Sequence, residues 1–380
     1  MRTLIFHGNR PLGPFPTFGA LFLTRHELGL RSKNIFEEAK DTPYMKHVTF
    51  SYVLLALLAT FCSANLSQAK QLEDRPIQFP THDSLMLHGT LSLPMTAGPH
   101  PVAILIHGSG PQDRDVTFPV AGPQSTCLFP GLAGDTLRIF RDIADHLQLH
   151  GMAVLRYDKR TTPPTVRELK MMEISLFDFE KDVSSAIAWI ATQPELDASR
   201  VVLIGHSQGT NFLPRLAAQH PDAVQAVIGM ATPSVPMDST IYRQINHIGQ
   251  LCGDSAQSAQ AANQLMGAFQ KLRADPKSIV FPIMGAMPTF WLEWLGLVDG
   301  TVDDFAKIEV PTLLLQGTED YNVTLEDARR LEAALPDRGK VIYFEGLNHF
   351  FTPKDEPFIP HNVLAAISHW LTDQGLAPGH

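Results

Sequence analysis

From Pro76 onward the apolar positions keep two rhythms in turn. Leu85 to Leu93 alternates and predicts a strand near a sheet edge, whereas Pro101–Ile106 is a continuous apolar run, as in a strand buried on both faces. Asp135 to His150 carries Leu137, Phe140, Ile143, Ala144 and Leu147 at helical spacing and stops at Gly151. The alternation continues with a strand at Met152–Leu155, a helix at Asp178–Ile190 and strands at Arg200–Gly205 and Val224–Gly229. Strands at Pro311–Gln316 and Val341–Phe344 follow, with helices near 324–335 and 362–371. Such alternation predicts an α/β fold, a mostly parallel sheet with helices on both faces. The rhythm breaks at 233–307, which holds a helix candidate (Ser255 to Leu272) and an aromatic run (Ile279 to Val298). That stretch predicts a helical cap inserted between core segments 76–232 and 308–380.

The front is different. Lys46 and His47 precede an apolar run from Phe50 to Ala64 and then Ser67-Gln68-Ala69. That order predicts a signal peptide over 45–69 and an exported, periplasmic or secreted protein, since the run is shorter than the roughly 20 residues of a spanning helix. The alternative is an uncleaved anchor, the one case in which a membrane is a partner. Phe61 before Cys62 argues against a lipoprotein signal. Residues 1–44 stand oddly before such a segment, so either Met45 is the true start or they form a cytoplasmic tail.

The chain has 380 residues, 44% of them hydrophobic, and a net charge of −9, which excludes a mainly disordered chain and a basic nucleic-acid-binding surface. Its three cysteines are too few for a disulfide scaffold or a four-thiolate zinc site. In an oxidising compartment Cys127 and Cys252 can pair, without a bridge being required.

The sharpest motif is Gly205-His206-Ser207-Gln208-Gly209, between a buried strand and a helix. Small residues two positions either side of Ser207 let strand and helix pass closely, while the turn lifts the hydroxyl above the sheet. A serine nucleophile needs a base, and His349, just after the last strand, is the best placed of sixteen histidines. His206 is expected to point away, and His146 and His150 to form a surface pair. Asp320, after the penultimate strand, is the carboxylate chosen to orient His349, with Glu319 as runner-up. His107-Gly108-Ser109-Gly110 ends the Val102–Ile106 strand, where the N–H groups of Ser109 and Gln208 can form an oxyanion hole. Nothing in this set calls for a cofactor or a metal.

Together these residues resemble an α/β-hydrolase, with the chain order Ser207, Asp320, His349 expected there. The closer likeness, carried by His107 to Asp115 and Val154 to Arg160, is to exported bacterial hydrolases of the dienelactone-hydrolase and serine-aminopeptidase-like group. The resemblance implies that Asp113, Arg114, Asp158 and Arg160 fix loops. Two departures rim the site: Thr161-Thr162-Pro163-Pro164 replaces a glycine-rich turn, and Pro214 is expected to kink or shorten the helix after Ser207.

The expected activity is hydrolysis of small-molecule carboxylic esters, with Trp291 and Trp294 in the cap as substrate-binding residues. An amidase or aminopeptidase on the same triad is the alternative, with Glu293 or Asp299 as amine anchor. A third reading is an inactive binding protein that kept the fold.

Overall fold

The computed structural model describes residues 73–169 and 173–377; the segments 1–44 and 45–69 lie outside the described residues. β1 (Glu73–Pro80), β2 (Met86–Leu93) and β3 (His100–Ile106) open the chain. A small outer ribbon pairs β4 (Thr117–Pro119) with β5 (Thr136–Arg138), and α1 (Pro123–Leu128) lies in the loop between them. Next come α2 (Ile139–Leu149), β6 (Ala153–Tyr157), α3 (Phe177–Ile190) and β7 (Leu196–His206). After a 3₁₀ turn (Ser207–Phe212) follow α4 (Leu213–Gln219) and β8 (Val224–Met230). The cap supplies α5 (Met237–Cys252), α6 (Ser255–Ala274) and α7 (Pro288–Ala306). β9 (Thr312–Gly317), α8 (Leu325–Glu332), β10 (Gly339–Phe344) and α9 (His361–Asp373) complete the described chain.

The main sheet runs β1-β2-β6-β3-β7-β8-β9-β10. β1, β2 and β6 pair antiparallel, and every later pairing is parallel. The central strands alternate between two cores. Ile104 and Leu203 face one side with Val183 and Ile187 of α3 and Leu216 of α4. Leu105 and Ile204 face the other with Ile143 and Leu147 of α2 and Val363 and Ile367 of α9. Burial on both faces explains why these strands read as unbroken apolar runs.

Two local expectations shift, and the interruption expected at Pro214 is met. The helix placed from Asp135 begins at Ile139, because Thr136–Arg138 pairs as a strand with Thr117–Pro119. The helix after Ser207 is not continuous: Pro214 occupies the first turn of α4, where its missing N–H costs nothing, and a 3₁₀ turn precedes it. His146 is buried, with Nε2 3.0 Å from Ser368 Oγ and its ring stacked on half-buried His150, so the first of the pair is not a surface residue.

Several bonds tie the 233–307 insert to the core. Asn211 Nδ2 donates to Thr301 Oγ1 of α7 (2.8 Å) and to the Pro233 carbonyl (2.9 Å). A disulfide joins Cys127 at α1 to Cys252 at the end of α5. Arg114 forms a two-pronged pair with Asp158, and Arg160 another with Asp182, while Asp113 Oδ1 accepts the Asp115 and Thr117 N–H groups. Bidentate pairs of this kind fix loop direction.

Candidate active site

Ser207 sits at the end of β7 with φ of 52°, a left-handed conformation costing a non-glycine residue about 1–3 kcal/mol. The flanking glycines make the turn possible. A Cβ on Gly205 would lie 2.9 Å from the Gly209 backbone, and one on Gly209 would lie 2.4 Å from the Ile106 carbonyl oxygen. The Thr210 hydroxyl donates to the Ser207 carbonyl at 2.6 Å and braces the turn. Ser207 is half-buried on the cavity wall, and strain of this kind clusters at functional sites.

His349 and Ser207 line the same cavity, of about 750 Å³. Asp320 Oδ2 accepts from His349 Nδ1 at 2.8 Å, which leaves Nε2 as the free ring nitrogen. The other Asp320 oxygen accepts the N–H groups of Asn322 (2.8 Å) and Val323 (2.9 Å), so the carboxylate is locked at both ends. Asp320 is buried and Glu319 is exposed, which separates the two sequence candidates.

His206 does not simply turn away. It is buried beneath the site and donates through Nε2 to the His349 carbonyl at 2.9 Å. Burial, with His349 nearby, pushes its pKa down to about 3, so it stays neutral and holds the loop. His107, likewise driven to about 3 by burial, donates to the Asp113 carbonyl and packs edge-on to Tyr157.

Gly108 passes against the serine turn: a Cβ there would lie 3.2 Å from Ser207 Cβ. Ser109 follows it, and Gln208 is the second residue of the 3₁₀ turn, where a helix N–H has no acceptor within its own helix. Sequence reading missed Lys159. It is buried, and its Nζ donates to the Gly108 carbonyl (2.6 Å) and to Gln208 Oε1 (3.1 Å). In the sequence it is one of three cations in Arg156-Tyr157-Asp158-Lys159-Arg160, and nothing there sets it apart from Arg156 and Arg160.

A second cavity of about 530 Å³ meets the first at Ser109 and Pro111. Trp291 and Trp294 line it and stack at 5.4 Å, and both are nearly buried, so the aromatic run both packs α7 and walls a cavity. Phe281 and Met284 from the same run are exposed. The suggested amine anchors are committed elsewhere. Glu293 Oε2 accepts from Ser175 Oγ (2.9 Å) and the Leu176 N–H (2.7 Å) before α3, and Asp299 pairs with Arg273. Among the described residues no carboxylate lines either cavity, and no cluster of three or more potential metal ligands occurs.

Known proteins bear on this geometry. A family described as serine aminopeptidase, S33, matches residues 124–352, a stretch that includes Ser207, Asp320 and His349. Esterase EstD of Thermotoga maritima is 28% identical over 300 residues, covering 75% of this chain but only 65% of its own length. An uncharacterized protein of Mycobacterium tuberculosis is 22% identical over 309 residues, 75% of this chain and 79% of its own. The acylaminoacyl peptidase of Pyrococcus horikoshii superposes with a TM-score of 0.52 at 15% identity, over 82% of this chain and 43% of its own. The α/β-hydrolase GrgF of a Penicillium species does so at 0.51 and 19% identity, over 80% and 96%. These structural likenesses show the α/β-hydrolase fold.

Proposed function

We propose that this chain, which belongs to the serine aminopeptidase S33 family of α/β-hydrolases, cleaves carboxylic esters through an acyl-enzyme at Ser207. The observation that carries the reading is the 2.8 Å His349–Asp320 contact in a cavity wall that also holds the strained Ser207. Ser207 Oγ attacks the acyl carbon as His349 Nε2 takes its proton, and Asp320 stabilises the resulting imidazolium. The N–H groups of Ser109 and Gln208 receive the oxyanion. Nε2 then protonates the departing alkoxide; a water deprotonated by the same nitrogen adds to the acyl carbon, the bond to Ser207 Oγ breaks, and Nε2 returns the proton to Oγ as the acid leaves.

This chemistry allots the two cavities. The leaving oxygen must reach His349, so the alcohol lies in the larger cavity, walled by Phe118, Phe129 and Phe350 with Gln112 and Tyr321 beside them. His349 does not line the cap cavity, whose walls are Ile241, Ile245, Phe290, Trp291 and Trp294. That cavity takes the acyl chain, and short-to-medium acyl or aryl acids suit its size and apolar lining.

Esters are favoured over peptides on one specific ground. A free amino terminus needs an anionic partner, and Glu293 and Asp299 are both already bonded within the fold. The EstD name supports ester chemistry for that relative. Export remains part of the proposal, from the 45–69 pattern and from a disulfide that suits an oxidising compartment. N-terminal sequencing of the mature protein tests it, and a chain recovered from Met1 refutes it. A panel of p-nitrophenyl esters and aminoacyl-nitroanilides tests the activity. Faster turnover of the nitroanilides than of every ester, abolished by Glu293→Gln, would replace the esterase reading with the peptidase one.

A further inference from the structure

We propose that Lys159 is a positioning residue that holds the Gly108–Ser109 peptide with its N–H turned toward the oxyanion. The inference rests on acyl transfer at Ser207. In a trans peptide the C=O and N–H point in opposite directions. A donor fastened to the Gly108 carbonyl therefore fixes where the Ser109 N–H points. Lys159 Nζ supplies that donor at 2.6 Å, the length of a strong charge-assisted bond. Were this peptide to rotate, its carbonyl oxygen would face the developing negative charge and repel it.

The same ammonium reaches the second oxyanion residue, through Gln208 Oε1 at 3.1 Å. Its remaining face lies over the Phe179 ring, 4.2 Å from the centroid. Carbonyl, amide oxygen and ring account for its three N–H directions. Among the described residues no carboxylate comes within ion-pair distance of it. Asp182, whose charge favours the ammonium, is held bidentately by Arg160. A buried lysine without a counter-ion is costly, and replacing buried charge with apolar volume is often neutral or better for stability. Retention here follows if the charge works on the site. A cation on the Gly108 oxygen also polarises the amide and strengthens the Ser109 N–H as a donor. Burial brings the Lys159 pKa down to about 7, so the ammonium that carries this role is present on the acid side of neutrality and drains away as pH rises above 7.

Steady-state kinetics of Lys159→Met and Lys159→Gln on one p-nitrophenyl ester test the proposal, beside inhibition by a trifluoromethyl ketone of the same acyl chain. Removing an oxyanion donor outright costs about 10²–10³ in kcat. Loosening one is expected to cost about 10- to 100-fold for Met and less for Gln, which keeps a neutral donor. KM should stay within about threefold, and ketone affinity should fall in step with kcat/KM. Unchanged kcat in folded variants, or a raised KM at constant kcat, overturns the assignment. The Ser109 amide ¹H–¹⁵N signal gives a second readout: since His349 lines the same cavity, the step that belongs to Lys159 is the one present in the wild type and missing from Lys159→Met. A Ser109 signal whose titration is the same in both proteins also overturns it. Absence of ester turnover in the wild type would count against the esterase reading and leave the amide titration standing as a separate result.

Discussion

His206, the residue before the strained serine, donates from Nε2 to the carbonyl of His349, 2.9 Å away. The strand end that presents Ser207 thus also fixes the loop that presents the base, at a sequence separation of 143. His206→Asn should lower kcat about tenfold and destabilise the fold by about 1–3 kcal/mol, the cost of stranding a buried partner. Urea unfolding and ester kinetics on the same preparation measure both.

The same imidazole carries a pH signature. Its pKa in the fold, about 3, is below the ordinary 6.5, so the unfolded chain takes up the proton first. Its contribution to stability is complete above pH 6.5 and drains away as pH falls toward 3. The stability gap between wild type and His206→Asn should therefore shrink on acidification, by about 1.4 kcal/mol per pH unit at most. Urea midpoints at pH 7, 6 and 5 show it, and a gap constant with pH contradicts the neutral, buried state.

Asp320→Asn should leave the loop folded, because the amide oxygen can still accept the Asn322 and Val323 N–H groups. What it loses is the acceptor for His349 Nδ1–H, which inverts the tautomer the base requires. Turnover should fall roughly 10³–10⁴-fold with little change in Tm.

In the cap cavity, Trp294→Leu should move the acyl-length optimum upward, since each added methylene that finds apolar contact is worth about 0.8 kcal/mol. Deacylation involves only the acyl part, so its rate should follow this change. Phe118→Leu, in the other cavity, should alter the ranking of alcohols and leave deacylation untouched. A Trp294 variant that reorders alcohols instead would reverse the allotment of the two cavities.

The Cys127–Cys252 bridge spans 125 residues and fastens α1, a wall of the larger cavity, to the cap. Serine at both positions should cost about 2–5 kcal/mol. It should also raise KM for bulky alcohols more than for methyl esters. Equal KM changes for both would separate the bridge from the cavity.

Much of this was legible in the chain. The buried strands read as apolar runs, and Gly205 and Gly209 stand two positions either side of Ser207 because a Cβ at either would come within 2.4–2.9 Å of neighbouring backbone. Position relative to the strands led to Asp320 and His349, which the fold does bring together. Other features depended on partners distant in sequence. α5 has few buried positions, so its pattern was faint, and Thr136–Arg138 became a strand only by meeting Thr117–Pro119. His206 and Lys159 looked like incidental polar residues because what gives them meaning is a backbone carbonyl contributed by another loop.

The central claim is a covalent acyl intermediate on Ser207, and mass spectrometry of protein quenched during turnover of a slowly deacylated p-nitrophenyl ester tests it most directly. The account predicts one acyl group per chain, located on the peptide containing Ser207, together with a burst of nitrophenol of matching size. In Ser207→Ala both should vanish while the fold persists. An acyl group on another residue, or undiminished turnover in Ser207→Ala, would contradict it.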